Sequence, residues 1–281
     1  MLTPKDLVVF VDEEQGPHHR LAFAVALAES WGAHLIVTFV ANPLVFTPSE
    51  SFAVGAGLES LSREQQERIR AAEAHTRQVF ETLARGRHIT TEWRLLASEV
   101  EEEEALMLQA RHAGLAIVGP PVPASQLSIP LSGSEAIIFT SGRPVLRLPM
   151  DWPPDRLARR IVVGWNGSRE ATRAIADALP FLVKATSVHL VVVPEAKIRS
   201  VLGAEPGADI SRHLARHGVP VVLEQHEGSE AGAVLLERAR TLEADLLVMG
   251  AYGHSPLSEF IFGGATRAVL SAAELPLLLS R

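Results

Sequence analysis

Four glycines surround one strand-to-helix connection in the last part of the chain. They fall at 250, 253, 263 and 264 of Gly250-Ala251-Tyr252-Gly253-His254-Ser255-Pro256-Leu257-Ser258-Glu259-Phe260-Ile261-Phe262-Gly263-Gly264-Ala265-Thr266. Residues without a Cβ let backbone N–H groups come close to a bound group, and a helix N-terminus adds a dipole that favours negative charge. The spacing Gly-x2-Gly-x9-Gly therefore points to binding of a phosphate-bearing anion. No lysine lies nearby. His254 and Arg267 are the candidate cations, so a modest affinity is expected.

The elements that must position this loop are readable around it. The apolar run Asp245 to Met249 precedes it, a helical stretch over 267–273 follows, and 276–280 is again strand-like. Strands are expected at 160–165, 187–193, 219–225, 245–249 and 276–280. Helices are expected at 168–184, 207–217, 230–242 and 264–273. Short, wholly apolar strands alternating with helices predict a parallel sheet covered on both faces, with right-handed crossovers. Such sheets bind ligands beyond the carboxyl ends of their strands, where the strand order reverses. Asn166 and the Gly250 loop both begin at those ends.

The chain repeats itself. Leu7 to Asp12 is echoed by Ile161 to Asn166, Leu115 to Gly119 by Leu246 to Gly250, and Arg143 to Leu148 by Leu275 to Ser280. Domains are expected at 1–150 and 158–281, joined by Met150 to Asp155, which reads as a linker. The final strands of the halves, Val145–Leu148 and Leu277–Ser280, are short apolar edges and are expected to lie side by side. The first half has a surplus at 42–62, expected to be a loop, lid or surface decoration, followed by a long helix from about Arg63 to Arg85.

Composition sets the outer bounds. A formal net charge of -7, with arginines scattered rather than clustered, gives no footprint for nucleic acid or anionic lipid. The absence of cysteine excludes disulfides and thiolate chemistry. Met1 to Asp6 lacks the features of a signal peptide, and 113–134 is broken by prolines, so a cytoplasmic protein without a membrane span is expected.

Order and spacing together resemble the universal stress protein family, in two tandem copies over nearly the whole chain. The resemblance implies an α/β fold: two tandem doubly wound parallel five-stranded sheets with helices on both faces, packed as a pseudo-two-fold internal dimer. It also implies a stress-response factor that binds an adenine nucleotide, as ATP, ADP or AMP with or without Mg, in its second half. Protein partners or a homodimer of the tandem chain are further implied. In ATP-binding members, loop amides and a Ser or Thr after the third glycine hold phosphates and ribose, and an Asp ending the first strand meets adenine. Carried over by position, Gly250, Gly253, Gly263 and Thr266 match, Asn166 takes the Asp place and Gly264 the Ser/Thr place. His254 and Ala265 complete the candidate set.

The first half carries a worn copy. Pro120 and Pro121 follow Gly119 and cannot donate N–H groups, and Val122 stands where the second glycine belongs. Gly133-Ser134 comes one position late, while Asp12 keeps the acidic residue. One nucleotide per chain is therefore expected rather than two.

Other signals point away from turnover. Gly253-His254-Ser255-Pro256-Leu257 lacks the last glycine of an esterase elbow, and no Gly-x4-Gly-Lys-Ser/Thr loop occurs. His18-His19 and His213/His217 read as exposed helix faces rather than metal ligands. No general base or carboxylate pair adjoins the glycine loop. A nucleotide-binding regulator is the first reading. A nucleotide-free interaction protein with both sites decayed, and a slow ATPase, remain the alternatives.

Overall fold

The computed structural model describes residues 3–12, 18–41, 58–96, 102–120, 133–193, 205–227, 230–251 and 264–281. Contacts cluster into two units, Pro4–Ser141 and Gly142–Arg281 with Met1–Thr3. Of the loop expected at 42–62, residues 42–57 lie outside the described residues, whereas 58–62 belong to the long helix, which begins at Leu58 rather than near Arg63. No helix among them is long and apolar enough to cross a membrane.

In the unit Pro4–Ser141, the elements run β1 (Asp6–Val11), α1 (His19–Trp31), β2 (His34–Val40), α2 (Leu58–Ala84), β3 (Thr91–Leu96), α3 (Glu102–Arg111), β4 (Leu115–Val118) and α4 (Gly133–Thr140). The strands form a parallel sheet in the order β3-β2-β1-β4, with Val8 opposite Ile36 and Val9 opposite Ile117. The chain moves outward from β1 to β3 and returns to β4, so the strand order reverses between β1 and β4. The inner strands are largely apolar because both faces are covered: Leu7, Val8, Val9 and Ile117 are fully buried. Helix α1 ends at Gly32, whose left-handed φ of 60° lets the chain turn sharply into β2. The outer strand β3 is tied down by Trp93. Its ring stacks on Phe39 and Phe80, and its Nε1–H donates to Glu73 on α2 at 2.8 Å.

The later unit contains β5 (Val145–Arg147), β6 (Arg160–Trp165), α5 (Arg169–Leu182), β7 (Ser187–Val192), α6 (Ala208–Arg216), β8 (Val221–Gln225), α7 (Ala231–Thr241), β9 (Leu246–Gly250), α8 (Gly264–Ala272) and β10 (Leu277–Ser280). Five parallel strands stand in the order β10-β9-β6-β7-β8, within two residues of the expected bounds. The reversal falls between β6 and β9. The side-by-side placement expected for the final strands is present, with β5 antiparallel to β10 and Leu146 opposite Leu278. The segment expected to be a linker is folded against this unit. Trp152 is buried, donates from Nε1 to the Arg156 carbonyl, and carries the Arg156 guanidinium 4.7 Å above its ring.

Helices cover both faces of this sheet. Met249 and Gly250 point to opposite sides of β9 by strand alternation. Met249 shares its side with Gly164 and Leu235 of α7, whereas Gly250 meets the first turn of α5.

Leu278 sits fully buried in β10, in register with Leu146 on one side and Val248 on the other. Leu278→Ala is expected to lower stability by about 2–5 kcal/mol through lost burial and a residual cavity. Urea unfolding of the two chains measures it. A loss below about 1 kcal/mol would show that this strand does not anchor the core.

Candidate functional site

The sequence Asn166-Gly167-Ser168 at the carboxyl end of β6 is a turn and a helix cap in three residues. Asn166 Oδ1 accepts from the Ser168 N–H at 3.1 Å, and Ser168 Oγ accepts from the Ala171 N–H at 3.1 Å, capping α5. The Asn166 side chain is exposed. Its carbonyl oxygen already serves the turn, so its amide N–H groups are the freer donors.

Three close approaches bring the surrounding elements together. A Cβ on Gly250 would stand 2.5 Å from the Ala171 nitrogen and 2.6 Å from the Glu170 carbonyl carbon, so only glycine lets β9 meet the start of α5. A Cβ on Gly232 would stand 2.8 Å from the Ala265 oxygen, so α7 and α8 touch backbone to backbone. Gly164 leaves room for Leu235. A cleft of about 60 Å³ opens between these elements, with Trp165, Asn166, Gly250, Ala231, Leu235 and Ala265 among its walls. That is space for about two waters, so these walls form the floor of a groove rather than a full ligand cavity. No titratable side chain lines it among the described residues. A larger hollow of about 390 Å³, beside Arg156, Arg159 and Asp245 at the amino ends of β6 and β9, contains none of the candidate residues.

Asn166, Gly250 and Ala265 thus border one cleft. Gly264 is exposed at the first turn of α8, with no atom of the described residues within 4 Å of where its Cβ would be. The first N–H groups of a helix have no partner within the helix, so this end can receive an anion. Thr266 is buried, 4% exposed. Gly253, His254 and Gly263 lie outside the described residues. Trp165, Ala231 and Leu235 were not singled out from sequence. The small-residue run Ala231-Gly232-Ala233 was the available sign that a helix packs closely here.

The α7 wall is held by a charge cluster on the outer strand. Both oxygens of Glu224 on β8 accept from Arg238 of α7, at 2.8 and 3.0 Å. The same carboxylate faces His189 Nδ1 at 2.6 Å and His226 Nε2 at 3.1 Å. A carboxylate only accepts, so both ring nitrogens carry hydrogens. Burial alone would raise the Glu224 pKa. The hydrogen bonds from Arg238, His226 and His189 outweigh it and hold the carboxyl at about 2. Among the described residues no group of His, Asp and Glu is arranged to hold a metal ion, and the His213 and His217 rings meet edge to face at 4.7 Å.

Residues 158–281 match the model of the universal stress protein family. A universal stress protein from Archaeoglobus fulgidus DSM 4304 shares the fold over 99% of this chain and 98% of its own, at 15% identity and a TM-score of 0.70. A functionally unknown protein from Pseudomonas aeruginosa PAO1 does so over 99% and 92%, at 17% identity and a TM-score of 0.61. No curated protein matches the chain. At these identities the structural likeness establishes the α/β architecture with its largely parallel strands.

Replacing Glu224 by Gln is expected to cost about 2 kcal/mol at neutral pH, because Arg238 loses its charged partner. The folded carboxyl titrates below its unfolded value of 4.5. Its contribution is therefore complete above pH 4.5 and fades as pH falls towards 2. Urea unfolding across that range should show the two chains converging in acid. A gap independent of pH would mean the cluster stabilises by packing alone.

Proposed function

We propose that the domain at 158–281 binds an adenine nucleotide at the carboxyl ends of β6 and β9, and that the chain is a tandem universal stress protein acting as a nucleotide-responsive regulator. The observation that carries this reading is the single cleft bordered by Asn166, Gly250 and Ala265 at the point where the strand order reverses. Trp165 supplies an aromatic surface and Asn166 an amide for a flat, hydrogen-bonding base. The N-terminus of α8, with Gly264 exposed on it, supplies N–H groups and a favourable dipole for phosphate. When bound, the nucleotide supplies the phosphate charge and a base edge. The chain's own residues bind and orient it.

Gly264→Val provides a clean test. Its side chain would meet no atom of the described residues, and loss of a helical glycine does not weaken α8. Phosphate approaching the same helix end would meet the added methyl groups. Titration calorimetry of nucleotide-free protein with ATP, ADP and AMP is expected to give about one site per chain. The variant should lose at least about tenfold in affinity with an unchanged melt. Trp165 fluorescence offers a parallel readout. Unchanged affinity in a folded variant, or no binding by the parent chain, would favour the nucleotide-free interaction protein.

A further inference from the structure

The matching reversal point in the unit Pro4–Ser141 lies between β1 and β4, and a side chain of the same unit already fills it. Arg20, in the first turn of α1, reaches back across the carboxyl ends of these strands. Its Nη1 donates to the Phe10 carbonyl at 2.7 Å, and its Nη2 stands 3.9 Å from Asp12 Oδ1. The guanidinium lies directly over Gly119, where an added Cβ would come within 2.6–2.9 Å of its carbon and both terminal nitrogens. The side chain is only 10% exposed. Asp12 Oδ1 is buried and has no hydrogen-bond partner among the described residues, so its charge is balanced by Arg20 at ion-pair distance.

The corresponding places in the later unit differ in kind. Glu170 holds the second position of α5, as Arg20 does in α1, and Gly250 meets the Ala171 nitrogen, the Glu170 carbonyl carbon and the Glu170 Cβ rather than a charged head group. A glycine is kept in both units, but at 119 it makes room for a planar cation.

We infer that the crevice between β1 and β4 is a binding site for a planar guanidinium, occupied within the chain by Arg20. The site includes the Phe10 carbonyl as acceptor, the Asp12 carboxylate as counter-charge and Gly119 as a flat floor. A guanidinium presents several N–H donors in one plane, which an ammonium cannot match. The first unit is thereby closed to an outside ligand at the point where the sheet would otherwise accept one.

Chemical rescue tests this. Arg20→Ala empties the crevice and leaves Asp12 without its counter-charge, so melting should fall by about 5 °C or more. Ethylguanidinium at about 5 mM should restore at least half of that loss, while ethylammonium at equal concentration should not. Neither salt should shift the parent chain. Arg20→Met keeps the apolar stem and gives the same comparison should the alanine variant fail to fold. A variant that melts like the parent, or equal rescue by both cations, would overturn the assignment. Because the probe is not a nucleotide, failure here and failure of nucleotide binding are separate results.

Discussion

Close approach of backbone to backbone is the constraint on which the later unit depends. Its switch point exists in this form because β9 touches the first turn of α5 at Gly250 and α7 touches α8 at Gly232. A methyl group at either glycine would drive elements apart by a few tenths of an ångström or more, and a packed interior transmits such a displacement. The glycines that suggest ligand contact therefore have a structural duty as well. Gly250 shapes the cleft chiefly by admitting a helix. Gly264 meets no atom of the described residues, so a substitution there tests the proposed phosphate contact apart from packing.

The two units answer the same geometric problem with different chemistry. Both reverse their strand order beside the first strand, and both place a short helix turn above the gap. One fills the gap with an internal guanidinium and an acidic residue. In the other, the described walls form a shallow groove with an aromatic side chain and no charged one. Similar strand order in the two units thus does not carry the same crevice chemistry, because one residue in the first helical turn is arginine in one and glutamate in the other.

Strand positions were legible because buried parallel strands are continuous apolar runs, and Arg160–Trp165 and Leu246–Gly250 fell within two residues of expectation. The Asn166-Gly167-Ser168 turn was visible as a strand end, but the engagement of the Asn166 oxygen by Ser168 was not, since a side-chain rotamer leaves no trace in spacing. Trp165 escaped notice because an aromatic residue ending a strand is ordinary. Arg20 escaped for a similar reason: an arginine in a first helical turn reads as solvated until the tertiary fold lays it over Gly119. Glu224 joins residues from β7, β8, the segment after β8 and α7, and pairs as far apart as His189 and Glu224 carry no local signal.

The antiparallel pairing of β5 with β10 also bears on how the chain acquires its structure during synthesis. Leu146 and Leu278 face each other although 132 positions separate them. A ribosome would deliver β5 long before its partner, leaving a short apolar strand waiting while the intervening α/β segments emerge. Loop-closure entropy makes such distant pairings slow, and unpaired strands are exposed to wrong partners meanwhile. The brevity of β5, three residues ending in Arg147, limits that hazard. Arg147 later donates to the Leu270 carbonyl at 2.7 Å, so the residue that makes the waiting strand less adhesive also fastens it once the late helix arrives.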